Sequence, residues 1–135
     1  MKLTPYLHFA GDAEDALNFY KDALGGEIIM LSRYRESPMP CDEDYKEKII
    51  HARLQFGDNL IMISDSFKAQ PFSTHGNIQL SVEIEDAVAM ENIFNKMAGG
   101  GTVTMPLADQ FWGAKFGMLQ DKFGVSWMFN CEQKK

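Results

Sequence analysis

The chain has few cysteines and no long run of apolar residues. Its two cysteines, Cys41 and Cys131, lie far apart and outside any CxxC spacing, so the sequence supports neither a disulfide framework nor a structural zinc site. No apolar stretch approaches the length of a membrane-spanning helix, and the opening residues, MKLTPYLHFAGDAED, reach acidic side chains too early for a signal peptide. We therefore expect a cytoplasmic protein with reduced thiols and no membrane partner.

Common motifs of nucleotide binding and nucleophilic catalysis are also missing. The sequence contains no GxGxxG or GxxxxGK[ST] phosphate-binding loop and no GxSxG nucleophile motif. Positive charge is in deficit, since the formal net charge is -6, and this balance disfavours nucleic acid as a partner. What is present is 135 residues that are 45% hydrophobic, enough for one ordinary core.

An internal repeat organises these residues. The segment 5–28 aligns with the segment 79–102 at an offset of 74 residues, and Asp12 then pairs with Asp86. Each copy predicts a strand, a helix that begins at an aspartate, and a stop at paired glycines. The apolar positions at helical spacing are Ala16, Phe19, Tyr20 and Ala23 in one copy and Met90, Ile93, Phe94 and Met97 in the other.

Three strand-like stretches follow each predicted helix. They read GEIIMLSRYR, KIIHARLQF and DNLIMISD in the first half, and GTVTMPLA, AKFGMLQD and GVSWMFNC in the second. The sequence therefore predicts one α+β domain over residues 1–135, made of two βαβββ modules at about 1–66 and 77–131. Such modules form a curved, largely antiparallel sheet cavity with the helices outside. Residues 37–48, SPMPCDEDYKEK, are predicted to form a loop.

The duplication, the FY pair of the first helix and the closing FGVSWMFN resemble the vicinal oxygen chelate superfamily, which includes glyoxalases, bleomycin-resistance proteins and extradiol dioxygenases. LTPYLHFAGDAEDALNFYKDALGG, IHARLQFGDNLIMISD and above all MPLADQFWGAKFGMLQDKFGVSWMFN are similar to its PhnB-like branch. The resemblance covers nearly the whole chain. It implies a homodimer with a small-molecule cavity, and it implies no single reaction.

Members of the superfamily that hold a metal usually take one ligand from the first strand and one from the last strand of each module. The repeat places these positions at Pro5, Ile61, Gln79 and Met128, of which only Gln79 suits zinc, iron or manganese. We therefore expect no metal and no other cofactor. A slip of one residue would promote His8, which this register places opposite Pro5 as a packed side chain.

One strand offers a polar wall for the predicted cavity. Its apolar residues Ile50, Ala52, Leu54 and Phe56 alternate with His51, Arg53 and Gln55, and the repeat matches the polar positions with Phe116, Met118 and Gln120. The polar face either lines the cavity or faces solvent. In the cavity, Arg53 would meet the charge of an anionic or carbonyl-bearing aromatic ligand.

Four further residues are candidates. Asp65 follows Ile61 and Ile63 on one face and is predicted at the cavity rim near Arg53 as a base or ion-pair partner, or else as a turn residue. Trp112 stacks on the ligand or serves the dimer interface. Gln79, with Ser81 and Glu83 on its face, meets ligand or water, and Met128 lies opposite Trp127 and Phe129, which pack under the helices.

The resulting prediction is a metal-free homodimer that binds an unidentified small organic ligand. Its proposed contacts are His51, Arg53, Gln55, Asp65, Gln79, Trp112 and Met128. One alternative is a metal-dependent glyoxalase- or dioxygenase-like enzyme, a lyase or oxidoreductase with a displaced metal site. Another is a dimeric paralogue that binds nothing. A methyltransferase is not expected, because AGGGTV follows a helix and opens a strand, the reverse of a nucleotide-binding turn.

Overall fold

The computed structural model describes residues 4–38, 40–66, 79–110 and 113–132, which fall into two compact units, Met1–Ser73 and Thr74–Lys135. Each unit contains one βαβββ module, so the predicted α+β class and the two modules are confirmed. The first module consists of β1 (Tyr6–Phe9), α1 (Ala13–Leu24), β2 (Glu27–Arg33), β3 (Ile49–Phe56) and β4 (Asn59–Asp65). The second consists of β5 (Leu80–Glu83), α2 (Ala87–Ala98), β6 (Thr102–Asp109), β7 (Ala114–Gln120) and β8 (Ser126–Glu132).

Each unit has a mixed four-stranded sheet with the same topology. The strand orders are β1-β4-β3-β2 and β5-β8-β7-β6, in which the first strand of a module runs parallel to the last and the other pairs are antiparallel. Tyr6 lies beside Met62 in the first sheet, and Ser81 lies beside Met128 in the second. Arg53 faces Met62 across β3 and β4, as Met118 faces Met128 across β7 and β8.

Both helices bury the stripe that their apolar periodicity predicts. In α1 the buried residues are Ala13, Ala16, Leu17, Tyr20 and Ala23, and in α2 they are Met90, Phe94 and Met97. Gly25 adopts a left-handed conformation and ends α1. The next residue, Gly26, must lack a side chain, because a Cβ atom there would lie 2.8 Å from the carbonyl oxygen of Gln55.

The glycine run 99–101 joins the end of α2 to the start of β6, as predicted. Gly100 has a positive φ of 74°, and a Cβ atom on Gly101 would collide with the backbone of β7 at Gln120. The run therefore lies at the carbonyl end of a helix, whereas a nucleotide phosphate is bound at the amide end. This placement removes a nucleotide-binding turn from this part of the chain.

The face of the first sheet that packs on α1 differs in two places from the prediction. A β-bulge between Ser32 and Arg33 in the pairing with β3 makes Ile49 the fully buried residue, while Ile50, predicted on that face, is only half-buried. Ile61 was predicted to face the cavity, but it is 3% exposed and pairs with Leu54 on the α1 side. A shift of one residue in the register of β4 separates the predicted cavity side from the observed α1 side of Ile61.

The predicted loop between β2 and β3 contains a turn of 3₁₀ helix at Glu43–Tyr45, and another turn, Tyr34–Glu36, follows β2 directly. Both turns bury a tyrosine. The Tyr34 hydroxyl donates to the Asp65 carbonyl oxygen over 2.7 Å, and the Tyr45 hydroxyl donates to the Ser66 carbonyl oxygen. Two buried hydroxyl groups thus fasten this connection to the end of β4.

Two further observations concern the chain as a whole. Neither helix in the described ranges is long and apolar enough to cross a membrane. Cys41 and Cys131 are free thiols. The Cys131 side chain is buried and donates to the carbonyl oxygen of Glu85.

Candidate functional site

The side of the first sheet away from α1 carries a cluster of polar and aromatic side chains. We call it the open face of the first sheet and define it by Tyr6, His8, His51, Arg53 and Met62. Strand periodicity explains the cluster: Leu54 and Ile61 point toward α1, so their neighbours along β3 and β4 point away from it. His51 and Arg53 therefore lie on the predicted polar wall, and Gln55 follows them on the same face as an exposed residue.

Hydrogen bonds connect three residues of the open face. Arg53 donates from Nε to His51 Nε2 over 3.2 Å, and His51 Nδ1 lies 2.9 Å from the Tyr6 hydroxyl. The Tyr6 ring also meets the His51 ring edge-on, with centroids 5.6 Å apart. The sequence prediction brought His51 and Arg53 together, and the structure adds Tyr6 from β1.

The electrostatics of the cluster favour a neutral imidazole beside a fixed positive charge. The pKa of His51 lies below its ordinary value because burial disfavours the charged ring and, second, because the Arg53 guanidinium repels a further positive charge. Arg53 is exposed, and no carboxylate of the described residues forms an ion pair with it. Within the described ranges, the open face thus presents a cation that no carboxylate pairs with, in a chain whose formal net charge is -6.

His8 lies on the open face, so its predicted packed position is wrong. Its ring is exposed and stacks on Tyr6, with the two planes 6° apart and the centroids separated by 4.5 Å. The Ser64 hydroxyl lies 3.2 Å from His8 Nδ1. The error arose from the register of β1, since Tyr6, and not Pro5, occupies the position beside Met62.

Asp65 is not at a cavity rim near Arg53, and this prediction is also wrong. Its side chain is 2% exposed on the α1 side of the sheet, which it shares with Ile61 and Ile63. One carboxylate oxygen accepts from the backbone N–H groups of Gly11 and Ala13, and the other accepts from Ile49. These three bonds make Asp65 a structural tie between the ends of β1, β3 and β4.

The second unit contains the other candidates that the structure describes. Met128 lies on the side of β8 away from α2, beside Ser81, while Trp127 and Phe129 on the other side are 1% and 0% exposed. The prediction that these two aromatic residues belong to the core is confirmed, and Phe129 contacts Phe94 of α2 edge-on. Gln79, just before β5, is exposed. Trp112 lies outside the described residues.

The sheet positions predicted for a metal do not form a metal site. The register places Tyr6 and Met62 in the first sheet and Ser81 and Met128 in the second at the paired first-strand and last-strand positions. A phenol, a hydroxyl and two thioethers are poor ligands for zinc, iron or manganese. Among the described residues, no group of three or more His, Cys, Asp or Glu side chains is arranged to hold a metal ion.

A separate pocket of about 240 Å³ lies beside the N-terminus of α1. It is lined by Gly11, Asp12, Glu14, Asp15, Asp44, Glu47, Lys48 and Asp65. The groups most suited to binding there are already engaged, because Lys48 Nζ donates to the Gly11 carbonyl oxygen and Asp65 accepts three backbone bonds. The pocket is therefore an acidic surface in contact with solvent, and its Lys48 and Asp65 side chains serve the fold.

Sequence reasoning missed Tyr6 and His8 as members of the cluster. The available signal was their spacing, because two side chains with polar atoms at positions two apart in a strand share one face. The alternation identified the pair but could not say which face pointed toward α1. That choice depends on the parallel pairing of β1 with β4, which brings together residues 56 positions apart, such as Tyr6 and Met62.

Comparison with known proteins identifies the relatives of this chain. Residues 1–129 match the family described as 3-demethylubiquinone-9 3-methyltransferase. The crystal structure of PA1353 from Pseudomonas aeruginosa is similar at 40% sequence identity and a TM-score of 0.91, covering 99% of each chain. A putative 3-demethylubiquinone-9 3-methyltransferase from Bacillus cereus, named PhnB protein, shares 33% identity at a TM-score of 0.82 and covers 97% of this chain and 99% of its own.

A more distant structure shows the wider fold. The glyoxylase/bleomycin resistance protein/dioxygenase domain from Frankia sp. EAN1pec has 12% identity and a TM-score of 0.71, with 98% of both chains covered. At this identity the likeness concerns the fold alone. Two βαβββ modules with matching registers, together with these relatives, lead to one conclusion: the chain belongs to the family described as 3-demethylubiquinone-9 3-methyltransferase, and it has a PhnB-like sequence.

Proposed function

We propose that the chain binds a small organic molecule on the open face of the first sheet, without a metal ion. The observation that carries the proposal is the row of hydrogen bonds from Arg53 through His51 to Tyr6. A fixed row of polar groups beside an apolar surface is typical of sites that orient a small ligand. Met62 and the stacked rings of Tyr6 and His8 supply that surface.

Arg53 is the residue that we expect to contribute most to affinity. A solvent-exposed arginine adds little to folding stability, so its side chain is free to serve a ligand at small cost to the fold. Its Nε atom is bound to His51, which fixes the plane of the guanidinium group and leaves the terminal nitrogens for another partner. A negative or carbonyl group of the ligand fits this position.

The remaining predicted contacts divide into two groups. Gln55 shares the open face with Arg53, and we keep it as a ligand contact. Gln79, Met128 and Trp112 belong to the second unit and remain predicted contacts. Asp65 is withdrawn from the set, because both of its carboxylate oxygens already accept backbone N–H groups on the other side of the sheet.

The absence of a metal from this proposal rests on the chemistry of the open face. The lone pair of His51 Nε2 accepts the Arg53 Nε–H, and the positive charge of Arg53 opposes a cation beside that ring. Methyl transfer, which the family description names, is not proposed. A glycine turn that binds a nucleotide-like cofactor leads into the N-terminus of a helix, whereas the glycine run 99–101 lies at the C-terminal end of α2.

We also infer that the protein is a homodimer in the cytoplasm. Ile29 and Met30 are 48% and 38% exposed on β2, the edge strand of the first sheet, and such apolar edges are usually covered. The two free thiols agree with a reducing compartment. Light scattering at micromolar concentration checks the dimer, and a monomeric mass would contradict it.

The binding proposal can be tested with 1-anilinonaphthalene-8-sulfonate, an aromatic anion whose fluorescence reports binding. Titration of the wild type is expected to show saturable binding, and Arg53→Ala should raise the dissociation constant about tenfold, the loss expected for one charge-assisted hydrogen bond. Arg35→Ala is the matched control, because Arg35 is an exposed arginine that pairs with Glu47 outside the open face. Equal affinities for the two variants would show that the dye and Arg53 do not meet.

A further inference from the structure

The positions of the hydrogen atoms on the open face follow from the partners of His51. The guanidinium of Arg53 has hydrogen-bond donors and no acceptor, so its Nε can only donate to His51 Nε2. His51 Nε2 must therefore be the unprotonated nitrogen of the ring. In a neutral imidazole the remaining hydrogen is then on Nδ1, and this N–H donates to the Tyr6 hydroxyl oxygen 2.9 Å away.

This assignment leaves the hydroxyl hydrogen of Tyr6 without a role inside the cluster. The phenol oxygen accepts from His51, so its own hydrogen must turn toward another acceptor. None of the described residues other than His51 is hydrogen-bonded to that hydroxyl, and the Tyr6 side chain is among the exposed aromatic residues at 39%. A phenol that both accepts from a neighbour and is exposed is a stronger donor than an isolated one, because hydrogen bonds in a row polarise one another.

We infer that Tyr6 is a ligand-binding residue and that, with Arg53, it selects an organic oxyanion, such as a carboxylate or sulfonate. The inference rests on the proposed binding function and makes it more specific. Arg53 and Tyr6 both present hydrogen to the ligand, because the guanidinium has no acceptor and the phenol oxygen already accepts from His51. His51 does not need to touch the ligand; it acts as a positioning residue that orients both donors.

No residue that defines the open face carries a negative charge. His8 stacks on Tyr6, and its Nδ1 is engaged with the Ser64 hydroxyl. Met62, the neighbour of Tyr6 on β4, is uncharged. The lowered pKa of His51 agrees with a ring that stays neutral near pH 7 and keeps the Nδ1–H available for Tyr6.

The selectivity is tested by competition against 1-anilinonaphthalene-8-sulfonate with benzoate and benzamidine, two probes of similar shape and opposite head group. Benzoate should displace the dye, and benzamidine should not at the same concentration. Tyr6→Phe keeps the aromatic ring but removes the hydroxyl, so it should raise the benzoate dissociation constant about tenfold. Tyr34→Phe is the matched control; it should lower thermal stability and leave benzoate affinity unchanged, because the Tyr34 hydroxyl is bound to the Asp65 carbonyl oxygen.

A second measurement addresses the positions of the hydrogens directly. Nitrogen-15 NMR of the histidine side chains at pH 7 should show His51 protonated on Nδ1 alone, and Arg53→Ala should allow the other tautomer to appear. A ring protonated on Nε2 in the wild type would overturn the inference. So would benzamidine binding as well as benzoate, or a Tyr6→Phe variant with wild-type affinity; if dye and benzoate both fail to bind the wild type, the binding proposal fails as well.

Discussion

The two modules of this chain have the same topology but carry different chemistry at matching positions. The row across the first sheet consists of Tyr6, Met62, Arg53 and Met30, and its counterpart across the second consists of Ser81, Met128, Met118 and Met105. The second and fourth positions are methionine in each row. Where the first row has a phenol and a guanidinium, the second has a small hydroxyl and a third thioether. The fold therefore fixes where side chains lie, and the two halves differ in what those side chains can bind.

A buried aspartate stabilises each module in a different manner. Asp65 accepts backbone N–H groups from Gly11, Ala13 and Ile49, which are far from it in sequence. Asp121 is 3% exposed and accepts the N–H groups of nearby Phe123 and Val125, and also the indole N–H of Trp127. The first aspartate connects separate elements, whereas the second organises one hairpin.

Removal of the long-range tie should have the largest effect on stability. Asp65→Ala leaves three backbone N–H groups without an acceptor, and we expect a loss of about 3–5 kcal/mol in the free energy of unfolding. Asp121→Ala should cost about 2–3 kcal/mol, because a hairpin turn admits water more readily. Urea denaturation followed by circular dichroism measures both, with exposed Asp22→Ala as the surface control. A smaller loss for Asp65 than for Asp121 would contradict the distinction between the two.

Exchange of side chains between matching positions tests whether the open faces differ in binding. The double variant His51→Phe with Arg53→Met gives the first sheet the residues that Phe116 and Met118 provide in the second. Affinity for 1-anilinonaphthalene-8-sulfonate should fall about tenfold or more, while thermal stability changes little because Arg53 is exposed. Met118→Arg on its own should create no second binding event, since no imidazole is there to orient it. Two bound dye molecules per chain in that variant would argue against the requirement for His51.

The starts of the two helices differ by a smaller amount. The Asp86 side chain accepts the Val88 N–H over 3.2 Å at the start of α2, whereas Asp12 forms no such side-chain cap on α1. Asp86→Ala should therefore cost about 1 kcal/mol, and Asp12→Ala only a few tenths, mainly through the helix dipole. Urea unfolding of both variants checks the order. At α1 the Ala13 N–H is accepted by Asp65 instead of Asp12, and a larger loss at Asp12 would contradict this division of roles.

The smallest expected effect near neutral pH concerns the tyrosines, which lose their protons only in alkaline solution. All four tyrosines of the sequence belong to the first unit. Burial, followed by the negative charge of Asp65, raises the pKa of Tyr45 to about 12. The stabilising protonated phenol is fully present below pH ~10, the ordinary tyrosine value, and is lost as pH rises through about 12. Ultraviolet titration should show this late ionisation, and Tyr45→Phe should remove it.

The sequence predicted the helices and the order of the strands along the chain, because both depend on local signals. Asp12 and Asp86 mark both helix starts correctly, and paired glycines mark both ends. The register between paired strands was harder to predict from the sequence. The alignment of the repeat matched Ile61 with Met128, but the sheets match Met62 with Met128, because Met62 faces Arg53 across the first sheet as Met128 faces Met118 across the second, a difference of one residue in register.

This one-residue error in register accounts for most errors at the candidate site. Ile61, Met62 and Ile63 are all apolar, so their pattern contains no information about which of them faces α1. With Ile61 placed on the wrong face, Asp65 followed it to the wrong side. Tyr6 and His8 depended in the same way on the pairing of β1 with β4. The alternation within β3 was correct for His51 and Arg53, because polar and apolar residues there are clearly different.

The position of Asp65 along the chain has a consequence for the order in which the protein folds during synthesis. The three N–H groups that it accepts belong to residues made earlier, at positions 11, 13 and 49. Until the end of β4 has emerged from the ribosome, the growing chain therefore lacks the Asp65 carboxylate that completes its first module. In the second module, Asp86 emerges before the helix that it caps, so α2 can start as it leaves the ribosome. Vectorial synthesis thus delays the completion of the half that is made first.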